Sequence, residues 1–493
     1  MISCPPRDEE SFLSLCQHKV FFLQITARPG HLPKIAPFPG LSGNAAFEAI
    51  HLDSSSKPAN HASGDPGRKT GSNPAGTICD VIVLGAGVIG VSVALHLQAR
   101  GRAVILVDRG EPGAETSHGN AGLVERSSVI PYAMPHDFAQ LVRYASNRTT
   151  ALRYSPLYLP RMLPWLASYW WHSGKSRLAR VAAEMLPLIE ASIHEHEALV
   201  GAAGAQSLMR NGGWIEIYPR AVDLARARKA AIGLADYGLR YDVLDAAALR
   251  QREPHLSNLA GAIHWRDPVT SSDPGGLTRA YAALFVARGG VLLKADAMTL
   301  DRTAAGWSVG EGSAACTGAE VVVALGPWSG DLCQRLGYRF PLAFKRGYHM
   351  HYSVDEGRGL AHPVCDPEAG YVLSPMRQGI RLTTGVELAE RDAPAMSRQL
   401  VEAEAAARLL FPLGRAIDPE PWRGSRPCFP DMKPVIGKAA HHPGLWFAFG
   451  HAHHGFTLGP VTGRLLAEVM TGETPFTDPA PYAAERFGGG RDR

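Results

Sequence analysis

Six residues, Gly85-Ala86-Gly87-Val88-Ile89-Gly90, constrain this chain more than any other feature. Alone, G-x-G-x-x-G is a weak pattern. Here a β-branched run, Val81 to Leu84, precedes it. A helical stretch from Val88 to Arg100 follows and stops at Gly101, and a second buried strand runs from Ala103 to Val107. Each glycine has a physical task. Gly85 permits the tight turn, Gly87 lets backbone approach a pyrophosphate with no Cβ in the way, and Gly90 lets the helix lie close on the strand. The helix N-terminus offers N–H groups and a positive dipole end to phosphates. Asp108, with Arg109 beside it, closes the second strand and is placed to accept hydrogen bonds from ribose hydroxyls. The segment reads as a dinucleotide site.

After Asp108 no second fingerprint occurs in strand–helix context. Gly201-Ala202-Ala203-Gly204 follows a helical stretch, which argues against an enzyme binding two dinucleotides. Glu115 to Gly122 is small, polar and glycine-containing, suited to wrapping a cofactor with backbone groups. A flavin dinucleotide is expected rather than a nicotinamide one.

The 493 residues, 45% hydrophobic and 19% charged, are enough for more than one domain. A net charge of +4 with scattered arginines argues against nucleic acid as a partner. Seven cysteines, without a C-x-x-C pair, argue against a disulfide framework or thiolate zinc and fit a reducing cytoplasm. No apolar run reaches the ~20 residues of a membrane span. The nearest, Ala151 to Trp171, contains Pro156, Pro160 and Pro164. It reads as an aromatic helical hairpin over the active site. Its rings, with Arg153 and Arg161, also suit a peripheral contact on the inner face of a membrane.

Residues 1–76 read as a disordered extension, because serine and proline crowd His51 to Ala75 and no secretory signal is evident. Further along, strands are expected at Trp214 to Tyr218, Val291 to Leu293, Val321 to Leu325 and Trp446 to Phe449, with several between 344 and 390. Helices are expected from Leu277 to Arg288 and from about Pro460 to Met470. The fold class is α/β: a Rossmann-type FAD-binding domain interleaved with a mixed-to-antiparallel-sheet substrate domain. The FAD-binding parts are placed at 77–130, 266–340 and 426–493, and the substrate parts at 131–265 and 341–425.

Three later segments add signals: Ala324 to Ser329, Gly424 to Gly437, and Gly450 to Pro460. With the βαβ start, they resemble the D-amino-acid oxidase superfamily of FAD-dependent oxidoreductases. The nearest look is the bacterial D-amino-acid dehydrogenase small subunit and D-hydroxyproline dehydrogenase type, over about Asp80 to Gly472. The resemblance implies that Gly85, Ala86, Gly87, Val88, Ile89, Gly90 and Asp108 bind the ADP half. It implies that Ser117, His118, Asn120, Ala121 and Gly122 approach the flavin, and that Gly326 and Trp328 lie close to the dinucleotide. Gly450, His451, Gly455, Phe456 and Thr457 would lie near the pyrimidine end. Cys428 is offset from the position where some relatives attach flavin, so non-covalent FAD is expected.

The implied activity is oxidation of a D-amino acid, or of a cyclic imino acid such as D-proline or D-hydroxyproline, by hydride transfer from Cα to flavin N5. Arg426 is expected to grip the substrate carboxylate, with an ion pair to Asp431 as the structural alternative. Tyr348, His349 and Tyr371 are candidates for hydrogen bonds from the adjoining sheet, and His453 for a place over the ring system. His451, His453 and His454 lack a carboxylate or cysteine at ligand spacing, so no metal is expected. The electron acceptor stays open among a quinone, an electron carrier and dioxygen. Alternatives are an oxidase of sarcosine, another secondary amine or glycine, and a flavin-binding subunit of a hetero-oligomer.

Overall fold

The computed structural model describes residues 77–490; the expected extension at 1–76 lies outside them. Two large sheets organise the chain. In the first, Val291–Lys294, Val104–Asp108, Thr77–Leu84, Cys316–Val323 and Leu445–Phe449 lie side by side and parallel. Val435–Lys438 runs antiparallel along the outer edge, and a hairpin, Asp301–Thr303 with Gly306–Val309, joins the start of Cys316–Val323. The central strands are apolar on both faces because both are covered, as parallel sheets require.

One face carries helices Val88–Ala99 and Gly455–Thr471. Glycines on the second helix let the two approach closely. A Cβ at Gly459 would lie 2.7 Å from Val88 Cγ2, and one at Gly463 2.6 Å from the Ser92 carbonyl carbon. The second helix begins at Gly455, not near Pro460 as expected. Pro460 has no N–H for the carbonyl of Phe456, four residues earlier. That carbonyl is met instead by His196 Nε2 at 2.8 Å, so the helix runs through the proline.

The second sheet has ten mostly antiparallel strands. At its middle, Ala343–Tyr352 lies between Val386–Leu388 and Gly379–Thr384, and also pairs with Trp422–Cys428. Arg426 therefore sits within a strand of this sheet. Leu123–Val124, Val269–Ser271 and Met209–Asn211 form a third, three-stranded sheet. The aromatic segment differs from the expected hairpin. It holds the short strand Leu152–Tyr154 and one helix, Leu159–His172, with Pro160 in its first turn and Pro164 inside. A break at Gly174 starts the long helix Lys175–Ala202. Among the described residues, no helix is long and apolar enough to cross a membrane.

Candidate active site

The turn at residue 85 is built for close approach. Gly85 has φ +105°, and a Cβ there would stand 2.5 Å from the Ala324 carbonyl oxygen. A Cβ at Gly90 would stand 1.8 Å from the Gly85 oxygen, so Gly90 serves the strand–helix contact and does not line the cavity. At Gly87 the nearest protein atom to an added Cβ is Ser117 Oγ at 3.4 Å. The space beside Gly87 is therefore left open by the protein itself. Asp108 holds the loop: its carboxylate accepts from Ala86 N at 2.7 Å and Gly110 N at 2.8 Å. Each oxygen keeps a lone pair for a hydroxyl.

This turn opens into a cavity of about 540 Å³, within the usual range for cofactor sites. Gly85, Ala86, Gly87, Val88, Ile89, Asp108 and Arg109 line it, with Gly326 and Trp328. The Arg109 guanidinium lies 4.6 Å from the centre of the Trp328 ring, a stacked pair suited to a flat aromatic base. Arg391, which the sequence did not single out, lies 5.6 Å from the same ring and pairs with Asp331 at 2.6 Å.

The loop from Ser117 to Gly122 is fastened on every side. Ser117 Oγ accepts from Val88 N at 2.9 Å, and Asn120 bridges the Ser117 carbonyl and the Gly122 N–H, each at 2.7 Å. Arg381 donates to the carbonyls of His118 and Asn120, and Ser374 Oγ to that of Ala121. Trp422 rests on Gly119, where a Cβ would fall 1.8 Å from its ring. Ser117, Gly119 and Asn120 line the cavity; His118, Ala121 and Gly122 stand behind it and shape the loop.

The remaining wall comes from Gly347, Trp422, Arg426, Gly450, His451, His453, Gly455 and Phe456. Arg426 Nη1 and His453 Nε2 are buried without a hydrogen-bond partner. Asp431, the alternative partner of Arg426, pairs instead with Arg486 at 2.7 Å. Burial, with Arg426 and Lys345 nearby, holds the His453 imidazole neutral, well below the usual range. His451 bonds Thr462 at 3.0 Å, and burial pushes its pKa down to about 3. Thr457 stands behind the wall, accepting from Glu125 N and donating to the Leu123 carbonyl.

Three expected substrate contacts fall elsewhere. Side chains alternate along Ala343–Tyr352. Gly347 faces the cavity, so Tyr348 faces away, where its hydroxyl donates to Glu387 at 2.5 Å and accepts from Arg346 at 2.7 Å. Tyr371 is fully buried in the apolar core of the second sheet. His349 shares the face of Gly347 but stacks on Trp422 with centres 4.8 Å apart, one layer behind the cavity.

The same alternation brings in Lys345, which sequence reasoning missed. Its ammonium donates to the Tyr169 hydroxyl at 3.0 Å and lies 5.7 Å from the centre of the Trp165 ring. Both aromatics sit on the inner face of helix Leu159–His172. Tyr132, also missed, lies 4.7 Å from the His453 ring, centre to centre.

One cluster has the look of a metal set: His349, His351 and Asp418. His351 Nδ1 meets Asp418 at 2.8 Å, and Arg381 Nε donates to His351 Nε2 at 3.0 Å. With both ring nitrogens engaged and a guanidinium alongside, the group is a hydrogen-bond chain.

The residues present fit a flavin dinucleotide. The helix N-terminus and open Gly87 would hold the phosphates, Asp108 the ribose and the Arg109–Trp328 pair the base, and the glycine-rich wall would accept a flat ring system. Comparison with known proteins agrees. The family of FAD dependent oxidoreductases abbreviated DAO matches residues 80–469. A D-amino-acid oxidase of Bradyrhizobium diazoefficiens is 31% identical over 422 residues, 83% of this chain and 98% of that protein. A D-amino acid dehydrogenase of Chromohalobacter salexigens is 29% identical over 417 residues, 83% and 99% of the two chains. Among solved structures, glycine oxidase from Geobacillus kaustophilus shares the fold at a TM-score of 0.65 and 20% identity, over 83% of this chain and 98% of that one. The chain belongs to the DAO family of FAD-dependent oxidoreductases.

Proposed function

We propose that this enzyme oxidises a small amino acid at its amine-bearing carbon, a D-amino acid or a cyclic imino acid such as D-proline or D-hydroxyproline. The names of the two relatives support the substrate class. One observation carries the reading: Arg426 lines the cavity that also holds the dinucleotide cradle, and its Nη1 is buried with no protein partner. A buried unpaired guanidinium is costly, and a carboxylate with two oxygens in one plane relieves it best. FAD, when bound, supplies the two-electron acceptor. Arg426 orients the substrate by its carboxylate, and Tyr132 with neutral His453 fills the space beside it. Burial beside Arg426 and Lys345 disfavours a further positive charge, which favours a substrate amine arriving unprotonated, as it favours the neutral imidazole of His453. We assign FAD a non-covalent attachment: Cys428, the cysteine nearest Arg426, is buried, its thiol bonds the Arg426 carbonyl, and it does not line the cavity.

The acceptor is a quinone, a carrier or dioxygen. Helix Leu159–His172 bears on the first of these, because its outer face exposes Leu163, Trp170 and Trp171, with Phe138 and Val142 on the helix beside it. Of the arginines between 138 and 174, Arg143 and Arg148 are exposed, whereas Arg153 is buried against Glu402 and Arg161 pairs with Glu390. An apolar, basic face supports peripheral contact with an anionic membrane on the cytoplasmic side. Anaerobic mixing with D- and L-amino acids, sarcosine and glycine tests the function: D-amino acids should bleach the flavin. Bleaching by sarcosine or glycine alone would point to the amine-oxidase alternative, and no bleaching by any would point to a subunit of a hetero-oligomer. Peroxide formation against dye or quinone reduction then assigns the acceptor.

A further inference from the structure

Just behind the wall that Arg426 forms, Lys345 is a second buried cation without a carboxylate among the described residues. Lys345 and Arg426 are direct partners across adjacent antiparallel strands, so their side chains leave the same face with Cβ atoms about 5 Å apart. Like charges opposite each other in a sheet repel. The Lys345 side chain is 5% exposed, and neither cation meets a carboxylate among the described residues. Arg346 has Glu387 at 2.8 Å, Lys433 has Glu184 at 2.6 Å and Arg486 has Asp431 at 2.7 Å, while buried Arg381 is met by the carbonyls of His118 and Asn120 and by His351. Glu125, beside Tyr132, is taken up by Ser127 at 3.3 Å and the Tyr132 hydroxyl at 3.5 Å. Lys345 has a neutral hydroxyl, Tyr169, and the face of that ring at 4.1 Å. Beside it, Trp165 Nε1 is a buried donor with no acceptor.

We propose that the substrate carries a second carboxylate, held by Lys345 and the Trp165 indole N–H, while Arg426 holds the α-carboxylate: an acidic amino acid of four or five carbons. This rests on the reading of Arg426 given above. A single carboxylate would neutralise one cation and leave the other buried and unpaired. Two carboxylates cancel both charges, and the indole N–H and the spare Lys345 protons supply the donors that the second one needs.

The test compares the holoenzyme on D-aspartate and D-glutamate with D-asparagine and D-glutamine, which match them in shape without the second charge. The acids should have the higher kcat/KM. Lys345→Met should lower kcat/KM for the acids about 10- to 100-fold, the value of a charge-assisted contact, while the amides change by less than about threefold. Succinate should perturb the wild-type flavin spectrum at about tenfold lower concentration than propionate, a readout that needs no variant. Amides oxidised as well as acids, or acids and amides weakened alike by Lys345→Met, would overturn the assignment while leaving Arg426 as the α-carboxylate anchor. If no amino acid of any kind reduces the flavin, the functional reading falls and this one falls with it.

Discussion

The dinucleotide cradle and the substrate chamber open into one cavity but are made in different ways. The cradle is chiefly backbone: the turn from Gly85 to Gly90 and the loop from Ser117 to Asn120, with Asp108 as the main side chain. Its parts lie within a short stretch of sequence, and their spacing states their geometry. The proposed substrate chamber is chiefly side chain: Arg426 and His453 line the cavity, with Tyr132, Trp165, Tyr169 and Lys345 packed behind them. They come from separate segments, among them the second sheet, helix Leu159–His172 and the turn after Leu445–Phe449, and only the tertiary fold brings them together. A site made of N–H groups tolerates little at its glycines. A site made of side chains can be retuned one residue at a time.

The sharpest way to break this comparison is within the cradle. Gly90→Val should give insoluble protein, because its Cβ would collide with the Gly85 carbonyl at 1.8 Å. Gly87→Val should fold, since the protein itself leaves that position open, yet purify without flavin colour. Circular dichroism and the visible spectrum separate the two outcomes. A yellow Gly87→Val protein would mean that the phosphates lie elsewhere.

In the chamber the expected effect is large but graded. Arg426→Ala should raise KM steeply and slow flavin reduction, a loss of about 2–5 kcal/mol in transition-state binding. The cradle should be unaffected, so the variant should stay yellow. Arg426→Lys should fall between, because an ammonium keeps the charge and loses the planar fork. Unchanged steady-state constants for Arg426→Ala would move the carboxylate site away from this strand.

The same division explains what was legible in the sequence. The βαβ unit, Asp108 and the Ser117–Gly122 loop could be read because local spacing encodes them. Tyr348 and Tyr371 lie away from the cavity, and a motif alone does not say which face of a strand looks inward. Once Gly347 is known to face the cavity, alternation assigns Lys345 and His349 to that side and Tyr348 to the other. Tyr132 and Trp165 gave no comparable signal; they meet the site only through tertiary contact. The start of the last helix was missed because Pro460 looked like a beginning. The compensating partner, His196, lies 264 residues earlier in the chain.

Histidines offer a third contrast, this one in pH. His349 is pushed down to about 2, His451 to about 3 and His196 to about 4, in each case chiefly by burial. Their folded values lie below the unfolded value near 6.5, so the unfolded chain takes up protons first. Their stability contribution is complete above about pH 6.5 and is lost as pH falls toward the folded values. Each should cost roughly 2 kcal/mol between pH 7 and 5. Thermal melts should therefore drop steeply over that interval. A Tm that stays level to pH 5 would show that these rings are not held neutral.

The smallest expected effect falls on the wrong-faced tyrosine. Tyr348→Phe removes a hydroxyl that donates to Glu387, accepts from Arg346 and accepts from Met396 N at 3.0 Å. Arg346 also bonds Glu387 directly at 2.8 Å, so the buried ion pair survives the change. The loss should be near the value of one buried hydrogen bond, about 1 kcal/mol. Because the ring lies on the far side of the strand from Gly347, KM and the rate of flavin reduction should match wild type. A changed KM would require this strand to present its other face to the substrate, which would also turn Lys345 away from the chamber.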